Sequence, residues 1–249
     1  MHTVVKNLID ITNLVHTKVK ECNIENIPKI IAVSKTFEIQ QIMPLIEYGH
    51  VDFGENKVQE AIDKWTNVKL KFPRIKLHLI GKLQTNKVKT ALKIFDYIHS
   101  VDSEKLAKKI SDEQEKQKKK VSIFIQVNIG NEIQKSGISP NHTVSFLNYC
   151  KNLNLNVVGF MCIPPVNENP IEYFKTTKTL TNKSGLSKLS MGMSSDFLAA
   201  TEEGSTHLRI GSSIFGKRNY SIWILVWGLI SLAKIIKSFF FKAIHPAVG

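Results

Sequence analysis

Eight short apolar segments alternate with amphipathic helical patterns along most of this 249-residue chain. Strands that alternate with helices pair in parallel, because each helix carries the chain back to the start of the next strand. Eight such units in a chain of this length predict a single α/β domain, a (β/α)8 TIM-type barrel preceded by an N-terminal helix. The alternative is an open doubly wound sheet, which would need a glycine-rich turn after an early strand, and the sequence contains none.

The predicted strands recur at intervals that leave room for one helix after each of the first seven. Each is short, apolar and bounded by polar or turn-forming residues, as expected for strands buried on both faces. They are KIIAVS (29–34), VDFG (51–54), IKLHLIG (75–81), YIHSVD (97–102), VSIFIQVN (121–128), NVVGFMC (156–162), LSKLSMG (186–192) and THLRIG (206–211).

The formal net charge is +13, and nearly all of the positive charge is lysine, since the only arginines are Arg74, Arg209 and Arg218. A nucleic-acid-binding surface more often clusters arginines with aromatic residues, so we predict no nucleic-acid partner. We interpret the densest basic run, EKQKKK (115–120), as the solvated end of a helix. The excess charge still favours anionic ligands through long-range attraction.

The three cysteines, Cys22, Cys150 and Cys162, are far apart and form no CxxC pattern. Their odd number and spacing indicate neither a disulfide framework nor a metal site. The first twenty residues have the pattern of an amphipathic helix and not of a secretory signal. We therefore predict a cytoplasmic location and no bound metal.

The C-terminal segment differs from the rest of the chain. SIWILVWGLISLAKIIKSFFF (221–241) contains only two charged residues, Lys234 and Lys237, and it is longer than a barrel needs for its last helix. We divide the chain into a barrel at residues 1–218 and a hydrophobic, basic tail at residues 219–249. Three interpretations of the tail stay open: a helix in weak, peripheral contact with a membrane, a helix that packs or self-associates, and a non-native extension of the reading frame.

The working face of such a barrel lies at the carboxyl ends of its strands, and phosphate groups commonly bind after strands seven and eight. Both turns there are rich in serine and glycine, and they place Ser194, Gly211 and Ser212 where helices begin. Helix amino termini attract anions, and glycine allows an oxyanion to approach the backbone closely. Taken singly, Ser194 and Ser212 are explained as helix caps; as neighbouring turns, they predict a phosphate site.

Two cations complete the predicted site. Lys35 ends the first strand, and partial desolvation at a barrel mouth lowers the pKa of an ammonium group and frees its amine to attack carbonyls. A phosphate site, a nucleophilic lysine and Arg209 on the last strand together suggest pyridoxal phosphate (PLP). The alternatives are that Lys35 is a plain cation facing a substrate phosphate and that Arg209 pairs with a carboxylate in the barrel.

Seven motifs, in order between residues 28 and 218, resemble those of the pyridoxal phosphate homeostasis proteins, also called the YggS or PROSC family. No single motif would be as specific as the ordered set. The motifs are AVSKTF (32–37), DFGENKVQE (52–60), HLIGKLQTNK (78–87), QVNIGNEIQKSGI (126–138), MCIPP (161–165), LSMGMSSDFLAA (189–200) and GSTHLRIGSSIFGKR (204–218).

The resemblance implies a barrel of PLP fold type III, like that of alanine racemase. It implies that Lys35 carries PLP as an internal aldimine and that Arg209 faces the pyridine nitrogen. The residues that it assigns to the phosphate are Ser194, Gly211 and Ser212, and those that it places with less certainty along the pocket are Asn56 and His78.

The resemblance also implies a function: a PLP-binding protein of intracellular PLP homeostasis that carries the cofactor reversibly, has no catalytic activity, and passes PLP to PLP-dependent apo-enzymes. We expect it to be a monomer. One alternative is a PLP-dependent amino-acid racemase or decarboxylase of fold type III. A third class, an RNA or membrane adaptor, is suggested only by the net charge and the tail.

Overall fold

The computed structural model describes residues 1–216 and arranges eight parallel strands in one closed barrel. Each strand pairs with the strands before and after it in the chain, and the last pairs with the first, which confirms the predicted architecture. The strands are β1 (Lys29–Val33), β2 (Asp52–Glu55), β3 (Lys76–Leu79), β4 (Tyr97–Val101), β5 (Ser122–Val127), β6 (Asn156–Cys162), β7 (Lys188–Ser190) and β8 (His207–Ile210).

Helices cover the outside of the barrel, and one of them precedes the first strand, as the sequence predicts. Two short 3₁₀ turns, Thr85–Lys87 and Pro140–His142, lead into the fourth and sixth helices. Within the described residues the helices are α1 (Thr3–Glu21), α2 (Ile39–Glu47), α3 (Val58–Lys71), α4 (Val88–Ile94), α5 (Glu104–Gln117), α6 (Thr143–Asn152), α7 (Pro170–Lys183), α8 (Phe197–Glu202) and α9 (Ser212–Phe215).

The hydrophobic core lies between the outer face of the barrel and these helices. Phe53 on β2 and Trp65 on α3 show the arrangement, with ring centroids 4.9 Å apart and both side chains fully buried. Full burial of one such side chain contributes about 1.5–3 kcal/mol to folding. Helix α1 buries an apolar stripe at helical spacing and is tied to α9 by a hydrogen bond from Asn7 Nδ2 to the carbonyl oxygen of Ile214 (2.8 Å).

The barrel closes through β1 and β8, and this closure positions the candidate site. Ile31 pairs with Arg209, and Ala32 pairs with Ile210. The turns that follow these two strands therefore lie side by side at the same end of the barrel.

The predicted tail at residues 219–249, its hydrophobic helix and the boundary at residue 218 lie outside the described residues and stay predictions. Among residues 1–216, none of the helices combines the length and the apolar character that a membrane span requires.

Candidate functional site

Lys35 lies in the turn directly after β1, at the carboxyl end of the barrel. The turn is closed by a hydrogen bond from the backbone N–H of Phe37 to the carbonyl oxygen of Ser34 (3.2 Å). The next residue, Thr36, has a φ of 68°, a left-handed conformation that is unfavourable for a β-branched residue. Lys35 itself is half-buried. A strained turn persists only where its surroundings hold it in place, so other residues must stabilise the conformation of Thr36.

A cluster of charged side chains on β2 and α3 holds this turn in place. Lys64 Nζ donates to the carbonyl oxygen of Ser34 (2.9 Å) and to Glu60 Oε1 (3.1 Å), and Glu60 Oε1 accepts from the backbone N–H of Thr36 (2.6 Å). Both residues that flank Lys35 are thus bonded to the same ion pair. We call Lys64, Glu60 and Glu55 the lysine clamp.

Glu55 is the buried centre of the lysine clamp. Its Oε1 accepts from Ser34 Oγ (2.7 Å), Lys64 Nζ (2.9 Å) and Trp65 Nε1 (2.9 Å). Burial raises the pKa of Glu55, while Lys64 and these hydrogen bonds oppose the rise. The arrangement holds the turn that contains Lys35 at the carboxyl end of the barrel.

The turns after β7 and β8 meet at Ser194. Its Oγ accepts from the backbone N–H groups of Gly211 (3.2 Å) and Ser213 (3.3 Å), so the residue that precedes α9 and the second residue of α9 donate to one oxygen atom. Gly192, before Ser194, has a φ of 90°, and a Cβ there would lie 2.5 Å from the Cβ of Ala200. Only glycine lets this turn fold against α8 and bring Ser194 to α9.

The lysine turn and the serine turns are in direct contact. Phe37 stacks on Phe215 of α9 with ring centroids 4.9 Å apart. A Cβ on Gly211 would lie 3.3 Å from the carbonyl oxygen of Val33, so the backbone of Gly211 packs against the end of β1. The structure therefore brings Lys35, Ser194, Gly211 and Ser212 into one region.

Arg209 is buried and held by two hydrogen bonds. Its Nη1 donates to Ser190 Oγ (2.7 Å), and its Nη2 donates to the carbonyl oxygen of Cys162 (2.9 Å). Both of these hydrogen-bond partners are neutral, and within residues 1–216 the carboxylate of Asp196 acts on Arg209 only through an electrostatic interaction, without a described hydrogen bond or salt bridge. Burial lowers the pKa of Arg209, yet a guanidinium group stays protonated in proteins and can only donate.

The two remaining predicted residues lie in different surroundings. Asn56 is half-buried just after β2. Its backbone lies so close to Gly81 that a Cβ on residue 81 would collide with the backbone of Asn56. His78 is fully buried on β3, and both of its ring nitrogens are within 3.0 Å of a partner, Asp52 or His99. Contact of Asn56 or His78 with a ligand stays a prediction.

The sequence patterns predicted neither the lysine clamp nor the hydrogen bond from Arg209 to Ser190. Lys64 lies in an amphipathic pattern typical of a solvent-exposed helix face, and Ser190 is one of many serines. One signal was available: Glu55, like Lys35, is an ionisable residue in or beside an apolar strand. A charged group in such a segment is buried only where it is paired.

The family model for the alanine racemase N-terminal domain matches residues 11–219. The pyridoxal phosphate homeostasis protein of Haemophilus influenzae is 35% identical over 227 residues, which cover 86% of this chain and 96% of that protein. Its counterpart in Aquifex aeolicus is 38% identical and covers 79% of this chain and 90% of its own length.

Solved structures agree with these matches. PipY of Synechococcus elongatus with PLP bound is 30% identical and superposes with a TM-score of 0.70 over 81% of this chain and all of that chain. An alanine racemase of Clostridium difficile, at 15% identity and a TM-score of 0.69, shares the fold over 88% of this chain and 58% of its own. The chain belongs to the pyridoxal phosphate homeostasis protein family, whose barrel is that of the alanine racemase N-terminal domain.

Proposed function

We propose that this protein binds PLP covalently through Lys35 and acts in intracellular PLP homeostasis as a reversible carrier. One observation supports the proposal above all others: the turn of Lys35 lies directly against Gly211 and α9, beside the backbone donors that converge on Ser194. The aldehyde of PLP requires an amine, and its phosphate requires hydrogen-bond donors, so a PLP site must hold both kinds of group. The names of the relatives and the PLP bound to PipY support the same reading.

The residues of the site fit the parts of PLP. The N–H groups of Gly211 and Ser213 both donate to Ser194 Oγ and thereby hold Ser194 beside α9, where its hydroxyl hydrogen can be donated to a phosphate oxygen. Ser194, Gly211 and Ser212 would hold the phosphate, Lys35 would hold the aldehyde carbon, and Arg209 would donate to the ring nitrogen. Asn56 would line the pocket. His78 would contact PLP only through the carbon atoms of its ring, since both of its nitrogens have partners in the protein.

When bound, PLP supplies an aldehyde that condenses with amines and a ring that can accept electrons. Arg209 controls the second property, because a donor-only guanidinium cannot accept a proton from a protonated ring nitrogen. A ring nitrogen that faces Arg209 therefore stays neutral and is the weaker electron acceptor. Lys35 can still condense with the aldehyde, so Lys35 and Arg209 together favour holding the cofactor over using it.

The competing hypothesis is a PLP-dependent racemase or decarboxylase. Racemisation requires an acid–base group on each face of the substrate. Lys35 would be one such group, but the described residues around the serine turns offer hydroxyl and backbone N–H groups, not a second base. The alanine racemase matched here also contains a large part that this chain does not match. We propose that the protein has no catalytic activity of its own.

Solvent-exchange experiments separate the carrier from the enzyme. The PLP-loaded protein is incubated in D₂O with alanine, serine, glutamate or lysine, and deuterium at the α-carbon is measured by NMR. We expect no incorporation above that of free PLP at the same concentration. A protein-dependent rate that disappears in the Lys35→Ala variant would establish a catalyst and contradict the proposal.

The phosphate assignment predicts a selective loss in the Ser194→Ala variant. Ser194 Oγ accepts from the N–H groups of Gly211 and Ser213, which leaves the hydroxyl hydrogen of Ser194 to donate to the phosphate, and alanine removes that donor. We expect PLP affinity to fall about tenfold or more, since a hydrogen bond to a charged group contributes about 1.5–3 kcal/mol. Equilibrium titration of PLP absorbance measures the change.

Two controls make this prediction specific. Pyridoxal lacks the phosphate, so its affinity should be the same for the wild type and the Ser194→Ala variant. Ser195 is exposed and next in the chain, and the Ser195→Ala variant should bind PLP as the wild type does. Equal losses for PLP and pyridoxal would place the phosphate elsewhere.

We propose a cytoplasmic monomer of which residues 1–218 form the PLP-binding unit and which transfers PLP to PLP-dependent apo-enzymes. Peripheral membrane contact through residues 219–249 is one of the three interpretations of the tail. The high net positive charge supports the attraction of an anionic cofactor.

A further inference from the structure

The interior of the barrel contains a continuous chain of polar side chains. The interior of a TIM barrel is ordinarily filled with branched aliphatic residues in layers. Here five residues on five different strands form a hydrogen-bonded series that crosses the interior, since it joins β4 to β7, which are not neighbours in the sheet. We call this series the polar relay: Asp52 on β2, His78 on β3, His99 on β4, Ser190 on β7 and Arg209 on β8.

Each link of the polar relay has the length of a good hydrogen bond. Asp52 Oδ1 lies 3.0 Å from His78 Nε2, and His78 Nδ1 lies 3.0 Å from His99 Nε2. His99 Nδ1 lies 2.8 Å from Ser190 Oγ, which lies 2.7 Å from Arg209 Nη1. All five residues are buried, which limits competition from bulk water.

The two ends of the relay fix the position of every proton in it. The carboxylate of Asp52 can only accept, so His78 Nε2 carries a hydrogen and donates to it. A neutral His78 then accepts at Nδ1 from His99 Nε2, and a neutral His99 accepts at Nδ1 from the hydroxyl of Ser190. At the other end, Arg209 can only donate, so Ser190 Oγ accepts from Arg209. All four bonds run in one direction, from Arg209 to Asp52.

The charges along the relay agree with this direction. Burial lowers the pKa values of His78 and His99, so both imidazoles are neutral and each has one donor and one acceptor nitrogen. Burial favours the neutral acid at Asp52, but the hydrogen bond from His78 and the nearby charge of Lys29 hold the pKa of Asp52 below its usual value. His50 is also near this end, where its Nε2 lies 2.9 Å from the carbonyl oxygen of Asp52.

We propose that His99, His78 and Asp52 are positioning residues that hold Ser190 and Arg209 in the orientation in which Arg209 receives the ring of PLP. The inference rests on the proposed function, because it assumes that PLP binds against Arg209. Hydrogen bonds arranged in one direction polarise and strengthen each other in a buried site. A break at His99 therefore loosens Arg209 without touching PLP, and bound PLP is released faster.

The chain offers a closely matched control for a break at His99. His99 stacks on Phe124 with ring centroids 4.3 Å apart, and His207 meets the same Phe124 edge-on at 5.0 Å. Both histidines are buried in the barrel interior. The hydrogen bond described for the His207 ring lies outside the relay: Nδ1 of His207 is 2.8 Å from Thr206 Oγ1. Phenylalanine at either position preserves the aromatic packing.

The test compares release of PLP from the His99→Phe, His207→Phe and His99→Gln variants. PLP-loaded protein is mixed with an excess of a PLP-trapping amine, and loss of the bound absorbance gives the release rate. We expect about tenfold faster release and a shifted absorbance maximum for His99→Phe, since a break in a buried hydrogen-bonded network weakens the positioning of its other members. His207→Phe should keep the wild-type rate and spectrum. His99→Gln, whose amide has N–H donors and a carbonyl acceptor, should recover part of the loss.

A second measurement needs no PLP. In ¹⁵N NMR spectra of the cofactor-free protein, both His78 and His99 should be neutral with the hydrogen on Nε2. A charged imidazole, or the hydrogen on Nδ1 of either residue, would overturn the direction of the relay. This readout also separates the two proposals, because it is unaffected if PLP fails to bind at Lys35.

Two outcomes of the release experiment would overturn the positioning role. One is a wild-type release rate in folded His99→Phe. The other is equal acceleration in His207→Phe, which would show that only barrel packing matters. If His99→Phe does not fold, Ser190→Ala interrupts the relay with a smaller change of volume, and the same rates decide: faster release supports the proposal, and wild-type release contradicts it.

Discussion

Replacement of Lys35 by alanine is expected to abolish covalent retention of PLP while the barrel stays folded. Lys35 is half-buried in a turn, so its side chain contributes little to the core, whereas its amine is the group that would condense with the aldehyde. Loaded protein is passed through a desalting column, and the bound cofactor is quantified by absorbance. The wild type should retain PLP, and Lys35→Ala should elute without the spectrum of the covalent adduct.

Two further variants define the role of the amine. Lys35→Arg keeps the positive charge but has no amine that can condense, so it should also lose the covalent spectrum; retention in this variant would show that charge alone holds PLP. Lys82 is exposed in the turn after β3, at the same end of the barrel, and Lys82→Ala should retain PLP as the wild type does. A loss in Lys82→Ala equal to that in Lys35→Ala would contradict the assignment.

Replacement of Lys64 by methionine is expected to lower the free energy of unfolding by about 3–5 kcal/mol, the usual effect of removing one partner from a buried ion pair. The side chain of Glu55 is 0% exposed and that of Lys64 only 9% exposed. Without Lys64, the Glu55 carboxylate is buried without a cation, and the carbonyl oxygen of Ser34 loses its donor. Urea unfolding at constant pH measures the change.

The chain provides controls for this loss. Lys6 and Asp10 form an exposed pair on α1, with side chains 63% and 54% exposed, and Lys6→Met should not change the unfolding midpoint measurably. The double variant Glu55→Gln/Lys64→Met removes both charges and keeps the amide oxygen for Ser34 and Trp65. It should be more stable than Lys64→Met alone. If Lys64→Met unfolds like Lys6→Met, the lysine clamp is not a buried ion pair.

The fold could be predicted from the sequence because it repeats one local pattern eight times. Each apolar run is bounded by turn residues and followed by an amphipathic stretch, and parallel pairing with closure follows from the number of units. The location of Lys35 at the carboxyl end of β1 followed for the same reason. The neighbouring position of the turns after β1 and β8 is a consequence of closure and needed no further information.

The polar contacts inside and around the barrel could not be predicted in this way. The bond between His99 and Ser190 joins residues that are 91 positions apart on strands that do not pair. It depends on the stagger of the strands around the barrel, which no local pattern contains. His78 shows the consequence: the family resemblance implied a pocket residue but not that both of its ring nitrogens lie within 3.0 Å of Asp52 or His99, and its contact with a ligand stays a prediction.

The lysine clamp could not be predicted from the sequence for a second reason. Lys64 lies four residues from Glu60 on a helix, a spacing that usually indicates an exposed and weak pair. Only the packing of α3 against β2 buries this pair with Glu55 and directs Lys64 to the carbonyl oxygen of Ser34. The sequence therefore locates Lys35, the lysine proposed to react with PLP, and tertiary packing supplies the residues that hold its turn.

Borohydride reduction of the PLP-loaded wild-type protein, followed by peptide mass mapping, tests the central claim most directly. Reduction converts a reversible lysine adduct into a stable one, and the modified peptide identifies the lysine. We expect the pyridoxyl-phosphate mass on the peptide that contains Lys35 and on no other peptide at equimolar PLP. An unmodified Lys35 peptide, or a label on another lysine instead, would contradict the account.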